Sequence, residues 1–190
     1  MDRSRRLLVI VAAMALVAPM ARSDLVTFAF TGEVTDFLDG SGVGWTVPIG
    51  APFDGLITFD SSTPDSSPEF PEVGRYPDSI VSSSFTIGDH STIDTGVSGT
   101  ISVGLDIEDA DLYVLRDRSL SFRGYAAIIN LIFIDYDLSV FDTDALPLAP
   151  PPLEAFEEVD WSMGTENSDF AIIGSIDSMT LVPEPSSILL

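Results

Sequence analysis

Val97-Ser98-Gly99-Thr100-Ile101-Ser102-Val103-Gly104-Leu105-Asp106-Ile107 carries the clearest period in the chain. Apart from Gly99, every odd position is a large aliphatic residue, and the even positions are Ser, Thr, Gly or Asp. Side chains with a period of two fall alternately on the two faces of a strand, so the stretch reads as a strand with one face in a core and the other in water. The same alternation runs through Val26, Phe28, Phe30 and Val34, through Phe53, Gly55, Ile57 and Phe59, and through Val81, Ser83, Phe85 and Ile87. It returns more briefly over Leu112 to Leu115 and Leu120 to Tyr125. Ile128 to Phe141 begins as a continuous apolar run and then alternates, with Ile134, Tyr136, Leu138 and Val140 opposite Asp135, Asp137 and Ser139. That is the pattern of a central strand whose far end reaches solvent. A last strand is expected from Phe170 to Val182.

Turn chemistry separates these runs: Asp39-Gly40-Ser41-Gly42, the Asp60 to Pro71 stretch, Gly88-Asp89 and Asp94-Thr95-Gly96. One short helix is predicted near 152–160, where Leu153, Phe156 and Val159 recur every third residue after Pro150-Pro151-Pro152. Many strands and scarce helix predict an all-β, antiparallel β-sandwich or jelly-roll-like fold. No internal repeat suggests a solenoid or propeller.

The N-terminus has the layout of a secretory signal peptide. Arg3, Arg5 and Arg6 precede the apolar run Leu7 to Ala18, which is shorter than the roughly 20 residues of a membrane span. Ala21-Arg22-Ser23 then offers the small-x-small pattern of a signal peptidase site, with Asp24 as the first mature residue. The predicted organisation is a signal peptide over 1–23, one body over 24–182 and a short tail over 183–190. Removing the leader takes four of the eight basic residues and one acid of 30, so the mature chain sets four arginines against 29 carboxylates, a formal charge of −25. Such a surface repels phosphate backbones and anionic lipid, which argues against nucleic-acid binding and peripheral membrane attachment. Divalent cations, neutral sugars and basic surfaces are the partners that it favours; an acidic surface also serves solubility alone. The absence of cysteine excludes thiol catalysis, zinc-thiolate sites and iron–sulfur clusters.

The tail carries the most specific motif. Ile176 to Leu181 followed by Val182-Pro183-Glu184-Pro185-Ser186-Ser187 resembles the C-terminal region of PEP-CTERM proteins, in which a closing strand leads into a V-P-E-P-S segment and an apolar helix. A weaker resemblance to bodies attached to such tails runs through Thr31-Gly32-Glu33-Val34-Thr35, Val47 to Asp60 and Thr63-Pro64-Asp65. The resemblance implies export by the general secretory route in a Gram-negative bacterium, processing at the Pro-Glu-Pro motif by an exosortase, and a place on the cell surface or in a biofilm matrix. Pro183 and Pro185 suit that role physically, since neither can join a helix interior or a sheet ladder, and both favour an extended segment open to a protease. After Pro185 the family pattern has a full apolar span and an arginine cluster, whereas this sequence gives only Ile188-Leu189-Leu190. The expectation is a truncated or lost anchor, with no stable membrane span in the mature chain.

Chemistry-bearing residues are sparse. His90 is the only histidine and sits in the turn-like Gly88-Asp89-His90-Ser91, without a nucleophile elbow, so no catalytic residue is assigned. A secreted carbohydrate-active hydrolase on a jelly-roll scaffold stays open as the alternative to a non-catalytic surface protein. Asp106, Glu108, Asp109 and Asp111 follow the clearest strand and supply the oxygen ligands that calcium wants, though without the glycine and distant glutamate of an EF-hand. A calcium ion there is the one cofactor considered, against a solvated acidic rim. Trp45 and Trp161, with Tyr76 and Tyr113, are candidates for stacking on the sugars of an extracellular polysaccharide, against ordinary core use.

Overall fold

The computed structural model describes residues 25–94, 96, 99–167 and 169–183. Ten strands are present: β1 (Leu25–Asp39), β2 (Pro52–Asp60), β3 (Val73–Ile87), the two-residue β4 (His90–Ser91) and β5 (Ile93–Asp94), β6 (Gly99–Gly104), β7 (Asp111–Phe122), β8 (Tyr125–Asp135), β9 (Glu158–Gly164) and β10 (Phe170–Val182). Every pairing is antiparallel, and the order is β2-β1-β10-β9-β8-β7-β6-β3 with β2 also paired to β3. The all-β, antiparallel expectation therefore holds. Eight strands close into one up-and-down barrel, so the expected sandwich or jelly roll gives way to a single continuous sheet. Closure removes the free edges that a sandwich must protect.

The barrel is filled. Phe28, Phe53, Phe59, Ile57, Ile101, Tyr113, Leu131, Phe133 and Trp161 are all wholly buried inside it. Trp161 stacks on Phe53 with ring centroids 4.1 Å apart, although β9 and β2 are not neighbours in the sheet. Glycine makes room for the indole: a Cβ on Gly174 would lie 2.3 Å from Trp161 Nε1 and 2.1 Å from the Glu33 carbonyl. Outward positions mix Ser, Thr, Asp and Glu with aliphatic residues, such as Ile128, Ile132 and Ile134 of β8. Among the described residues no helix is long and apolar enough to cross a membrane.

β-Bulges decide which side chains face in. Along β3, Asp78 (φ 56°) and Ser79 are left unpaired with β6 between Pro77 and Ile80, and Tyr76 and Ile80 are both buried. The parity then changes at Val81, which the β2 pairing skips between Ile80 and Ser82, so Val81, expected inside, is exposed while Ser83 and Phe85 are buried. In β7 a shift between Asp117 and Leu120 turns two short expected strands into one, with Tyr113 and Leu115 inward before it and Leu120 and Phe122 inward after it. Another, between Thr31 and Gly32, moves the inward set of β10 from Ile176 to Met179.

Connections seal both ends. At one end Trp45 and Val47 pack on the core. At the other, residues 136–157 lay Leu146 and Phe156 over it, and the Tyr76 hydroxyl donates to the Asp144 carbonyl at 2.8 Å. The expected helix near 152–160 is only a 3-10 turn, Leu153–Ala155, because β9 begins at Glu158. The expected strand over 128–141 stops at Asp135, whose buried carboxylate accepts the backbone N–H groups of Asp137, Ser139 and Val140 at 2.8, 2.7 and 2.9 Å. Burial opposes ionisation there, but those hydrogen bonds outweigh it and hold the carboxyl below its usual range.

Candidate functional site

A shallow groove of about 560 Å³ crosses the outer face of β3, β6 and β7. Strand register builds it. Arg75 lies opposite Ser102, Ser102 opposite Val114, and Thr100 opposite Arg116. The intervening Tyr76, Ile101, Val103, Tyr113 and Leu115 point into the core, so the five between them point out. Arg118, within the β7 bulge, closes the groove. Arg116 also borders a second depression of about 730 Å³, which continues over Asn130 and Ser162 of β8 and β9.

This groove gathers three of the four arginines among the described residues. Arg75 and Arg116 are exposed and enter no ion pair among the described residues, while Arg118 reaches Glu166 at 3.9 Å. That pair is solvent-exposed on both sides and holds its guanidinium only weakly. The arginine heads remain available as bidentate donors for carboxylate, sulfate or phosphate. The fourth arginine, Arg123, lies at the sealed end bearing Trp45, with its guanidinium 4.9 Å from the indole centroid.

The residues singled out from sequence are scattered. Asp106, Glu108 and Asp109 occupy the β6–β7 loop with φ of 50°, 54° and 67°, where the backbone turns sharply and ends the strand expected to run to Ile107. Asp111 points inward from β7: its Oδ1 accepts the Asp106 N–H at 3.0 Å, and its buried Oδ2 has no hydrogen-bond partner. Among the described residues no three acidic or histidine side chains converge as metal ligands, so these four do not form the expected calcium cage.

Trp161 is wholly buried and its ring is closed to a sugar, which corrects the stacking expectation for that residue. Trp45 is partly exposed but spends its faces on Phe170, Phe122, Phe37 and Arg123. Trp161 packs with Phe53 and Trp45 with Phe170, so the two indoles do not share a site. The His90 ring meets Phe122 edge-on at 6.3 Å, and among the described residues no serine or carboxylate hydrogen-bonds to its side chain. Val182 ends β10 and Pro183 follows it; Ala21, Ser23 and Asp24, and Glu184 to Leu190, lie outside the described residues.

Two features had no signal in the sequence. Asp117 faces the interior and accepts the Ser83 hydroxyl, the Ser119 N–H at 2.7 Å and the Ser119 hydroxyl at 2.6 Å. The arginine groove was equally hidden, since Arg75 and Arg116 become neighbours only through the β3–β6–β7 pairing.

A scan of protein-family models finds none that matches this chain, and neither the curated proteins nor the solved structures compared with it give a match.

Proposed function

We propose that the chain is an exported, non-catalytic cell-surface or extracellular-matrix protein of the PEP-CTERM type, passed through the general secretory route and sorted by an exosortase. The observation that carries this reading is where the last strand stops: β10 ends at Val182 and Pro183, the first proline of the expected sorting motif, follows it. Leu25, the first described residue, is already paired in β1. Thr27 pairs with Val182, so the described ends of the two terminal strands lie side by side at one end of the barrel. Cleavage at either expected point would leave all of the described strands intact.

The non-catalytic part is supported by how the ionisable groups are used. The buried carboxylates Asp117 and Asp135 are saturated by hydrogen bonds from their own surroundings, and His90 has an aromatic neighbour in place of a nucleophile. Large side chains, Trp161, Tyr113, Phe53 and Phe133 among them, occupy the interior.

Intact-mass analysis of the protein made in a Gram-negative host tests export. The expected N-terminus is Asp24 in the exported fraction, with cleavage blocked by Ala21→Arg. Recovery of the chain in the cytoplasm with its leader attached would refute export. Comparing hosts with and without an exosortase reads sorting separately: an exosortase-dependent cut among Pro183 to Ser186 is expected, and an identical C-terminal mass in both hosts removes sorting while leaving export standing.

A further inference from the structure

We propose that the outer face of β3, β6 and β7 binds a carboxylate-bearing polysaccharide through Arg75, Arg116 and Arg118, with Thr100 and Ser102 hydrogen-bonding its hydroxyls and Val114 lying beneath its C–H faces. Only the presence of such a polymer around the protein rests on the extracellular reading; the site itself rests on charge and geometry.

Charge segregation is the first argument. Four arginines randomly placed among 29 carboxylates would each sit within an acidic surround, yet three meet in one groove. Clustering like charges costs repulsion that an anionic ligand relieves. The acidic remainder of the surface does not prevent this. At 0.15 M salt the Debye length is about 8 Å, so distant carboxylates are screened while guanidinium groups in contact with the ligand are not.

Geometry narrows the ligand. Arg75 and Val114 are two strand spacings apart, about 10 Å, and Arg116 and Arg118 follow at steps of about 7 Å along β7. Spaced cations on an open sheet face suit an extended polymer with one charge per repeat. Double-stranded DNA carries a charge per about 1.7 Å of axis, a density that cations spaced by about 7–10 Å do not match, and the groove has no aromatic platform on which single-stranded bases could stack. Hydroxyl groups at Thr100 and Ser102, set between the arginines, match a hydroxylated chain.

The purified protein titrated with polygalacturonate, neutral dextran and poly-glutamate tests the proposal. Binding to polygalacturonate alone is expected. The variants R75Q and R116Q should each lose about tenfold in affinity, as expected for one charge-assisted contact, and the double variant should lose about a hundredfold at an unchanged melting temperature. Lysine at the same positions should restore part of the loss. Absence of polygalacturonate binding, or equal binding by wild type and R75Q/R116Q, overturns the site. Tighter binding to poly-glutamate overturns the polysaccharide and reassigns the groove to acidic peptides. None of these outcomes bears on the N-terminal mass of the exported protein, so the failure of the site and the failure of export are read separately.

Discussion

Replacing Asp135 by asparagine tests how the 22-residue β8–β9 connection is held over its end of the barrel. In the wild type, Oδ2 accepts the N–H groups of Ser139 and Val140 at 2.7 and 2.9 Å and the Ser139 hydroxyl at 3.3 Å, while Oδ1 accepts the Asp137 N–H at 2.8 Å. Asparagine keeps a single acceptor. With its oxygen turned to Ser139 and Val140, its NH2 faces the Asp137 N–H, donor against donor. One charge-assisted hydrogen bond is lost, at about 1.5–3 kcal/mol, and the other two become neutral and weaker, so the expected cost is about 3 kcal/mol. Asp135→Ala removes all of the acceptors and should cost about 4 kcal/mol. Because the folded carboxyl titrates below its unfolded value of about 3.9, its contribution is complete above that value and disappears as pH falls through the folded one. The wild-type advantage should therefore be constant from pH 7 to about 5 and shrink below about 4. Guanidinium unfolding followed by Trp161 emission measures it. Coincident midpoints at pH 7, or a gap that widens as the pH falls, would refute the clamp.

Three further outcomes follow from the core and the acidic loop. Tyr113→Phe should stabilise the protein by about 1 kcal/mol in denaturant unfolding, because the tyrosine hydroxyl is wholly buried without a partner, and that burial also drives its ionisation far above the ordinary range. Gly174→Ala should destabilise by about 3 kcal/mol, since its Cβ would press on the Glu33 carbonyl and the Trp161 indole, both fixed by neighbours. The melting temperature should be the same in excess EDTA and in millimolar calcium, because Asp106, Glu108, Asp109 and Asp111 do not converge; a rise with calcium would show that the β6–β7 loop closes around a cation.

The period of two in Phe53 to Phe59 and in Ile101 to Val103 was enough to read an antiparallel all-β body, because burial on one face writes itself directly into alternation. Closure left no such mark. A strand alternates identically in a sandwich and in a barrel, and what distinguishes them here is β2 meeting β3 while β1 meets β10 across nearly the whole chain. Bulges were the other blind spot. Val81 fits the alternation of Ser83 and Phe85, but it is itself the extra residue opposite the Thr58–Phe59 step of β2, and Ile80 is inside in its place. The candidate site was illegible for a related reason. Arg75 and Arg116 are 41 positions apart in sequence, and only strand register sets them on one face. Asp106 to Asp111 show the opposite case, since closeness in sequence does not bring three of their carboxylates together among the described residues, and Asp111 is buried.

Amide hydrogen exchange across β1 and β10 is the most direct test of a closed barrel complete between Leu25 and Val182. The pairing of Thr27 with Val182 and of Phe28 with Leu181 predicts protection in Phe28 to Leu38 and Ala171 to Leu181 on the same timescale as in β7 and β8. Exchange of either terminal strand at the rate of the loops would contradict closure, and with it the meeting of β1 and β10 at one end of the barrel.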